Sequence, residues 1–154
     1  MNETNVNIRI GQESDMPQVM DLIMELAVFE KSPESVKMTV SELEKHGFGD
    51  HPDFGLLVAE SDGELLGMAL YYYCFSTWRG KYLYLEDLIV RESARKLGAG
   101  SKLFTALVEK TKTEGLRQMG WQVLDWNEPA IEFYKKHGAE LQSEWLNGRM
   151  YFES

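Results

Sequence analysis

Residues 82–113 constrain this chain more than any other stretch. YLYLEDLIV, residues 82–90, is continuous in apolar and aromatic character and reads as a buried strand. A basic turn follows, and RKLGAG, residues 95–100, opens a helix over about residues 100–113. The first turn of a helix leaves its own N–H groups unpaired and carries a positive partial charge, and glycine lets a ligand approach the backbone closely. The stretch therefore predicts an anion site. Glu86 lies inside the strand beside it, where loss of water would make a carboxylate a stronger base.

Two familiar phosphate loops do not fit. A dinucleotide fold requires G-x-G-x-x-G, and Leu103 stands where the third glycine belongs. A P-loop requires Gly-Lys-Ser/Thr after four intervening residues, which Gly98-Ala-Gly100-Ser-Lys does not supply. What remains is R-x-x-G-x-G, carried by Arg95, Gly98 and Gly100, at a strand-to-helix turn.

A length of 154 residues predicts one domain, residues 1–154, able to fold without staples. Cys74 is the single cysteine, and His46, His51 and His137 are scattered, so neither a disulfide framework nor a metal site is expected. The polar start, Met1 to Asn7, and the lack of a long apolar run predict no signal peptide and no membrane span, hence a cytoplasmic protein. A net charge of -9 argues against a general nucleic-acid binder. It suits a cationic small-molecule partner, or solubility alone.

In chain order, residues 6–10 alternate as an edge or half-buried strand. Ser14 and Asp15 offer an N-cap, Pro17 fits a first turn, and Val19, Leu22, Ile23, Leu26 and Ala27 give one helix face ending near Lys31. Phe29 and Glu30 fall in the last turn, where Glu30 is either a solvated helix end or the rim of a pocket. Thr39 caps a short second helix that stops at Gly47 and Gly49. Strands over residues 54–60 and 65–75 join through Asp62-Gly63, and residues 76–80 turn into the strand bearing Glu86. A strand over residues 118–125, a helix over 129–136 capped by Asn127, and a hairpin of residues 139–145 and 149–152 joined by Asn147-Gly148 complete the pattern. The order predicts an α/β fold: a mixed, mostly antiparallel sheet flanked by helices on both faces.

With these motifs in place, the chain resembles the GCN5-related N-acetyltransferase superfamily, whose pyrophosphate loop is R/Q-x-x-G-x-G/A. More closely it is similar to the spermidine/spermine (diamine) acetyltransferase family, over essentially its whole length. The matching stretches are ELAVFE (residues 25–30), GFGDHP (47–52), YLED (84–87), RKLGAG (95–100), and WNEP (126–129) followed by FYK (133–135). The resemblance implies acetyl-coenzyme A wedged between two splayed parallel strands. Leu88, Ile89 and Val90 would pair through their backbone with the pantetheine arm. Arg95, Lys96, Leu97, Gly98, Ala99, Gly100 and Ser101 would cradle the pyrophosphate, and Asn127, Glu128, Pro129 and Ala130 would border the arm from the other strand. Arg91 and Lys102 add to this positive group, whose other reading is ordinary surface charge.

The resemblance also implies roles. An alkylammonium, with a pKa of about 10.4, must lose a proton before its nitrogen can attack a thioester, and Glu86 is the candidate base. Tyr134 is the candidate acid for the departing thiolate; read alone it would be a helix packing residue. Phe29, Glu30, Ser76, Trp78 and Glu86 would line the amine pocket, with the Tyr71-Tyr72-Tyr73 run closing an aromatic groove. Polyamine enzymes typically carry an aspartate where Ser76 stands, and Ser76-Thr77-Trp78 looks more like the thialysine branch. The expected acceptor is thus a small amine, either a thialysine or lysine analogue or a di- or polyamine, and the expected assembly is a homodimer. A protein lysine or N-terminal acetyltransferase and a non-catalytic acetyl-coenzyme A sensor are the alternatives. No metal is implied.

Overall fold

In the computed structural model, which describes residues 5–152, five strands form one sheet: β1 (Asn7–Ile10), β2 (Gly55–Ser61), β3 (Glu64–Ser76), β4 (Gly80–Val90) and β5 (Met119–Gly120). They stand side by side in chain order, antiparallel throughout except for the parallel β4–β5 pair. Of the polar N-terminal stretch, residues 1–4 lie outside the described residues. Asp62 (φ 51) and Gly63 (φ 81) both take positive φ at the β2–β3 turn, the backbone that matches the twist of a two-residue hairpin. β3 is the central strand, buried continuously from residue 65 to 71.

Helices cover both faces. On one, α1 (Met16–Phe29) and α2 (Val40–Phe48) bury Met16, Val19, Leu22 and Leu43 against Val58, Met68, Leu70 and Ile89 of the sheet. On the other, α3 (Ala99–Thr113) lays Ala99, Leu103 and Leu107 on Ala59, Ala69, Tyr71, Leu83 and Leu85. The spacing of four between those α3 residues puts them on one stripe of the helix. Thr39 caps α2 as expected, its hydroxyl accepting the Glu42 N–H at 3.2 Å. Asp15 departs from its expected cap role. Its carboxyl instead accepts the Gln12 N–H at 2.7 Å and both terminal nitrogens of Arg9 at 2.8 and 2.9 Å, tying β1 to the start of α1.

The chain divides after Trp121 into two compact units. In the second, Asn127 caps α4 (Glu128–Lys136) by accepting the Ala130 N–H at 3.3 Å, with Pro129 in the first turn and Tyr134 buried. Two expectations are corrected. The strand expected over residues 118–125 is reduced to Met119–Gly120. Alternation supplies a face but no partner, and β4 bulges two residues beyond the point where pairing stops. The C-terminal hairpin does not form: residues 139–152 have no regular secondary structure. A lone two-stranded hairpin is marginal in water, and the Asn147 side chain accepts from the Gln122 amide at 2.6 Å rather than serving a turn between strands.

Candidate active site

The register of β3 against β4 contains one irregularity, and it falls on Glu86. Leu70 faces Asp87 and Tyr71 faces Leu85, so Glu86 is an extra residue with no partner across the ladder. Such a bulge breaks the alternation of side chains. Before it, Leu83 and Leu85 pack on the α3 face; beyond it, Ile89 packs on the α1 face. Two consecutive carboxyls, Glu86 and Asp87, thereby come to the α1 side of the sheet.

Glu86 is exposed, contrary to the buried position expected of a residue inside this strand. It is nonetheless held: the Tyr72 hydroxyl donates to Glu86 Oε1 at 2.9 Å. Tyr72 lies directly across from Tyr84, with ring centroids 5.4 Å apart. Burial, then the bond to Glu86, pushes the Tyr72 phenol up, so it remains a donor across the physiological range. The desolvated carboxyl is Asp87, pushed up to about 7 by burial first and by the charges of Glu86 and Glu30 after it. Glu30, the C-cap of α1, is itself raised by burial. Glu30, Glu86 and Asp87 thus form an acidic group, and it suits a cation.

The anion side lies farther along β4. Its parallel ladder to β5 consists of Leu83 with Met119 and Tyr84 with Gly120. Residues 85–90 then continue with β3 on one side and, among the described residues, no paired strand on the other. Ile89 is buried in the α1 core and Leu88 and Val90 pack on the α3 core, so their side chains are committed to the interior; the Ile89 carbonyl faces β3, which leaves the backbone groups of Leu88 and Val90 on the outer edge. An extended ligand bearing amides can pair with such an edge. A 3-10 turn (Glu92–Leu97) then leads to Gly98, which takes φ 76 as the N-cap of α3. Gly98 has no side chain to cap the first turn, Ala99 is buried, and Arg95 and Lys96 end the preceding turn. The combination fits the diphosphate expected there.

Not every expected residue gathers here. The Arg95 guanidinium sits 6.0 Å from the Phe29 ring, which joins α1 to the basic turn. Arg91, by contrast, is committed to structure, its Nε donating to the Leu65 carbonyl at 2.9 Å and its Nη1 lying 3.6 Å from Glu25. Ser76 accepts the Trp78 and Arg79 N–H groups at 3.1 and 3.2 Å and so fixes the β3–β4 turn. Trp78 stands at that tip, 92% exposed. The Tyr71-Tyr72-Tyr73 run does not line one groove, because strand alternation sends its members to opposite faces. Tyr71 packs in the α3 core and Tyr73 donates to Glu114 at 2.7 Å, leaving Tyr72 alone on the α1 side. Asp87 is not among the expected site residues, and Tyr72 is expected only as part of the aromatic run, not as a donor to Glu86; two adjacent carboxylates in an apolar run are the available sign of a bulge. Among the described residues no group of three or more His, Cys, Asp or Glu could hold a metal, and no helix is long and apolar enough to cross a membrane.

Comparison with known proteins adds relatives. The pattern of the acetyltransferase (GNAT) family matches residues 16–139. Thialysine N-epsilon-acetyltransferase of Mus musculus is 39% identical over 161 residues, covering 97% of this chain and 95% of its own. Spermidine/spermine N(1)-acetyltransferase-like protein 1 of Homo sapiens is 36% identical over 89% of this chain, though over 21% of its own length. Among solved structures, an aminoglycoside acetyltransferase from a soil metagenome superposes with a TM-score of 0.78 over 96% of this chain and 97% of its own. At 19% identity that likeness speaks for the fold alone.

Proposed function

The chain belongs to the acetyltransferase (GNAT) family and is an acyltransferase, and from that premise we propose that it acetylates a primary amine of a small cationic acceptor, a thialysine or lysine analogue before a di- or polyamine. One observation carries the reading: β4 loses its parallel partner after Tyr84 and bulges at Glu86, so an open backbone edge and an acidic group share one strand. The preference among amines rests on the 39% identity with thialysine N-epsilon-acetyltransferase and on Ser76, which leaves the β3–β4 turn without a carboxylate.

Acetyl-coenzyme A, when bound, supplies an acetyl thioester whose C–S bond breaks as the C–N bond forms, giving an amide and a free thiol. The outer backbone edge of the stretch Leu88, Ile89 and Val90 would hold its amide-bearing arm, and residues 95–101, with Gly98 and Gly100, would hold its diphosphate. Asn127, Glu128, Pro129 and Ala130 border the arm. Glu30 and Phe29 help to receive the ammonium, while Trp78, at the β3–β4 tip, is left to meet the far end of the acceptor. Glu86 takes the ammonium proton and passes it to water, freeing the nitrogen lone pair. A backbone N–H beside Leu88 steadies the negative oxygen of the addition step. The nitrogen loses its second proton as the amide forms, and Tyr134 protonates the thiolate and is reprotonated in turn. The net change is one proton released to solvent. Proton transfer by Glu86 and by Tyr134 would each contribute on the order of 10²–10⁴ in rate.

The same reading includes a homodimer. Trp145, Leu146, Met150, Tyr151 and Phe152 are 75–96% exposed in one chain, an apolar run that a second copy would cover.

Initial rates of thiol release with acetyl-coenzyme A, across thialysine, lysine, putrescine, spermidine and spermine, test the proposal. Thialysine is expected to give the highest kcat/KM. A lead for spermidine or spermine would overturn the acceptor assignment, and silence from every amine would overturn small-amine transfer itself.

A further inference from the structure

Glu86 is an exposed side chain on a bulge, and an exposed glutamate ordinarily samples many rotamers at a cost in positioning. Here it does not swing freely. The Tyr72 hydroxyl donates to Oε1 at 2.9 Å, and Tyr72 is itself fixed by the Tyr84 ring directly across the ladder, 5.4 Å between centroids. The donor is anchored on a rigid central strand and the acceptor on an irregular one.

From this geometry we infer that Tyr72 is a positioning residue for acetyl transfer: by occupying Glu86 Oε1 it reserves Oε2 as the oxygen that meets the acceptor ammonium. The inference rests on the reading of Glu86 as the base. Tyr72 touches neither the acetyl group nor the amine in this account; it acts through Glu86. When a proton arrives on Oε2, the Tyr72 O–H still has Oε1 to donate to, so the pair needs no rearrangement during the step. The charged and titratable groups around it are Tyr84 and Cys74 beside Tyr72, Asp87 beside Glu86, and Glu30 beside Asp87. None of these is a cation, and the Tyr72 phenol is the donor to Glu86. Burial keeps that phenol protonated.

A double-mutant cycle tests the inference, with Tyr72→Phe, which keeps the ring packed on Tyr84, Glu86→Gln, and the two together. With saturating acetyl-coenzyme A and thialysine, Tyr72→Phe is expected to lower kcat about 5- to 20-fold while the KM for acetyl-coenzyme A is unchanged. In the Glu86→Gln background the same change is expected to cost less than about 2-fold, the signature of two groups acting as one. Equal losses in both backgrounds, or no loss beside an intact Glu86, overturn the role of Tyr72 and leave Glu86 as base. Full activity of Glu86→Gln alone overturns both readings. Matching thermal unfolding of the four proteins separates positioning from a folding defect.

Discussion

Asp87 follows Glu86 directly in β4, and the bulge at Glu86 brings both carboxyls to the α1 side of the sheet, Glu86 exposed at the Tyr72 hydroxyl and Asp87 partly buried beside it. Adjacent residues of a regular strand point to opposite faces. The extra residue is what lets one short stretch present two carboxyl groups to one ligand.

The cost of that arrangement falls on Asp87. Its carboxyl is pushed up to about 7 in the folded chain, by burial and then by Glu86 and Glu30. A raised folded value means the contribution to stability is present below about pH 4 and is lost as pH rises through about 7. Asp87→Asn should therefore stabilise the protein at pH 8 by on the order of 1–2 kcal/mol, after discounting for solvent screening, and by little at pH 4. Urea unfolding at the two pH values is the check; equal effects at both would contradict the account.

Arg9 and Asp15 make the opposite case. Asp15 is 6% exposed, and its carboxyl is held below its ordinary range chiefly by the Arg9 hydrogen bonds. That stability is present above about pH 4 and is lost as pH falls through the depressed folded value. Arg9→Leu leaves a buried carboxylate without its cation and should cost roughly 3 kcal/mol at pH 7. The difference from wild type should shrink below about pH 3, which denaturant midpoints across pH would show.

Gly98 and Gly115 separate conformation from binding. Both take positive φ, 76 and 72, and a Cβ on either would meet open space. Alanine at each should cost about 1–2 kcal/mol of backbone strain. Gly98→Ala should also raise the KM for acetyl-coenzyme A several-fold, and Gly115→Ala, at the far end of α3, should not. Initial rates with thermal melts distinguish the two.

Ser76 offers a specificity switch. An aspartate can accept the Trp78 and Arg79 N–H groups that Ser76 now accepts, so the turn should survive Ser76→Asp. The added carboxylate should raise kcat/KM for spermidine relative to thialysine by about 10-fold, one well-placed charge contact. An unchanged ratio would remove Ser76 from the specificity argument.

Most of the frame was legible because it rests on local chemistry. Asp62-Gly63, Thr39, Asn127 and the apolar spacing of α1 each fix their element with residues close in sequence. The family was legible for a related reason: Arg95, Gly98 and Gly100 encode a backbone shape in a few residues. What escaped depends on partners. The bulge at Glu86 appears only when β4 is laid against β3, and it decides that Asp87 joins Glu30; the reach of Tyr72 to Glu86 likewise depends on the β3–β4 register. Residues 139–145 and 149–152 read as a hairpin about Asn147-Gly148, yet no described strand pairs with them, and they stay irregular.

The central claim is that Glu86 and Tyr134 move the protons of acetyl transfer to a small amine. The direct measurement is single-turnover thiol release from acetyl-coenzyme A with thialysine, for wild type, Glu86→Gln and Tyr134→Phe, beside the Kd of each for acetyl-coenzyme A. The account predicts rate losses of about 10²-fold or more in both variants with Kd unchanged. Variants that bind acetyl-coenzyme A and turn over at the wild-type rate would contradict it.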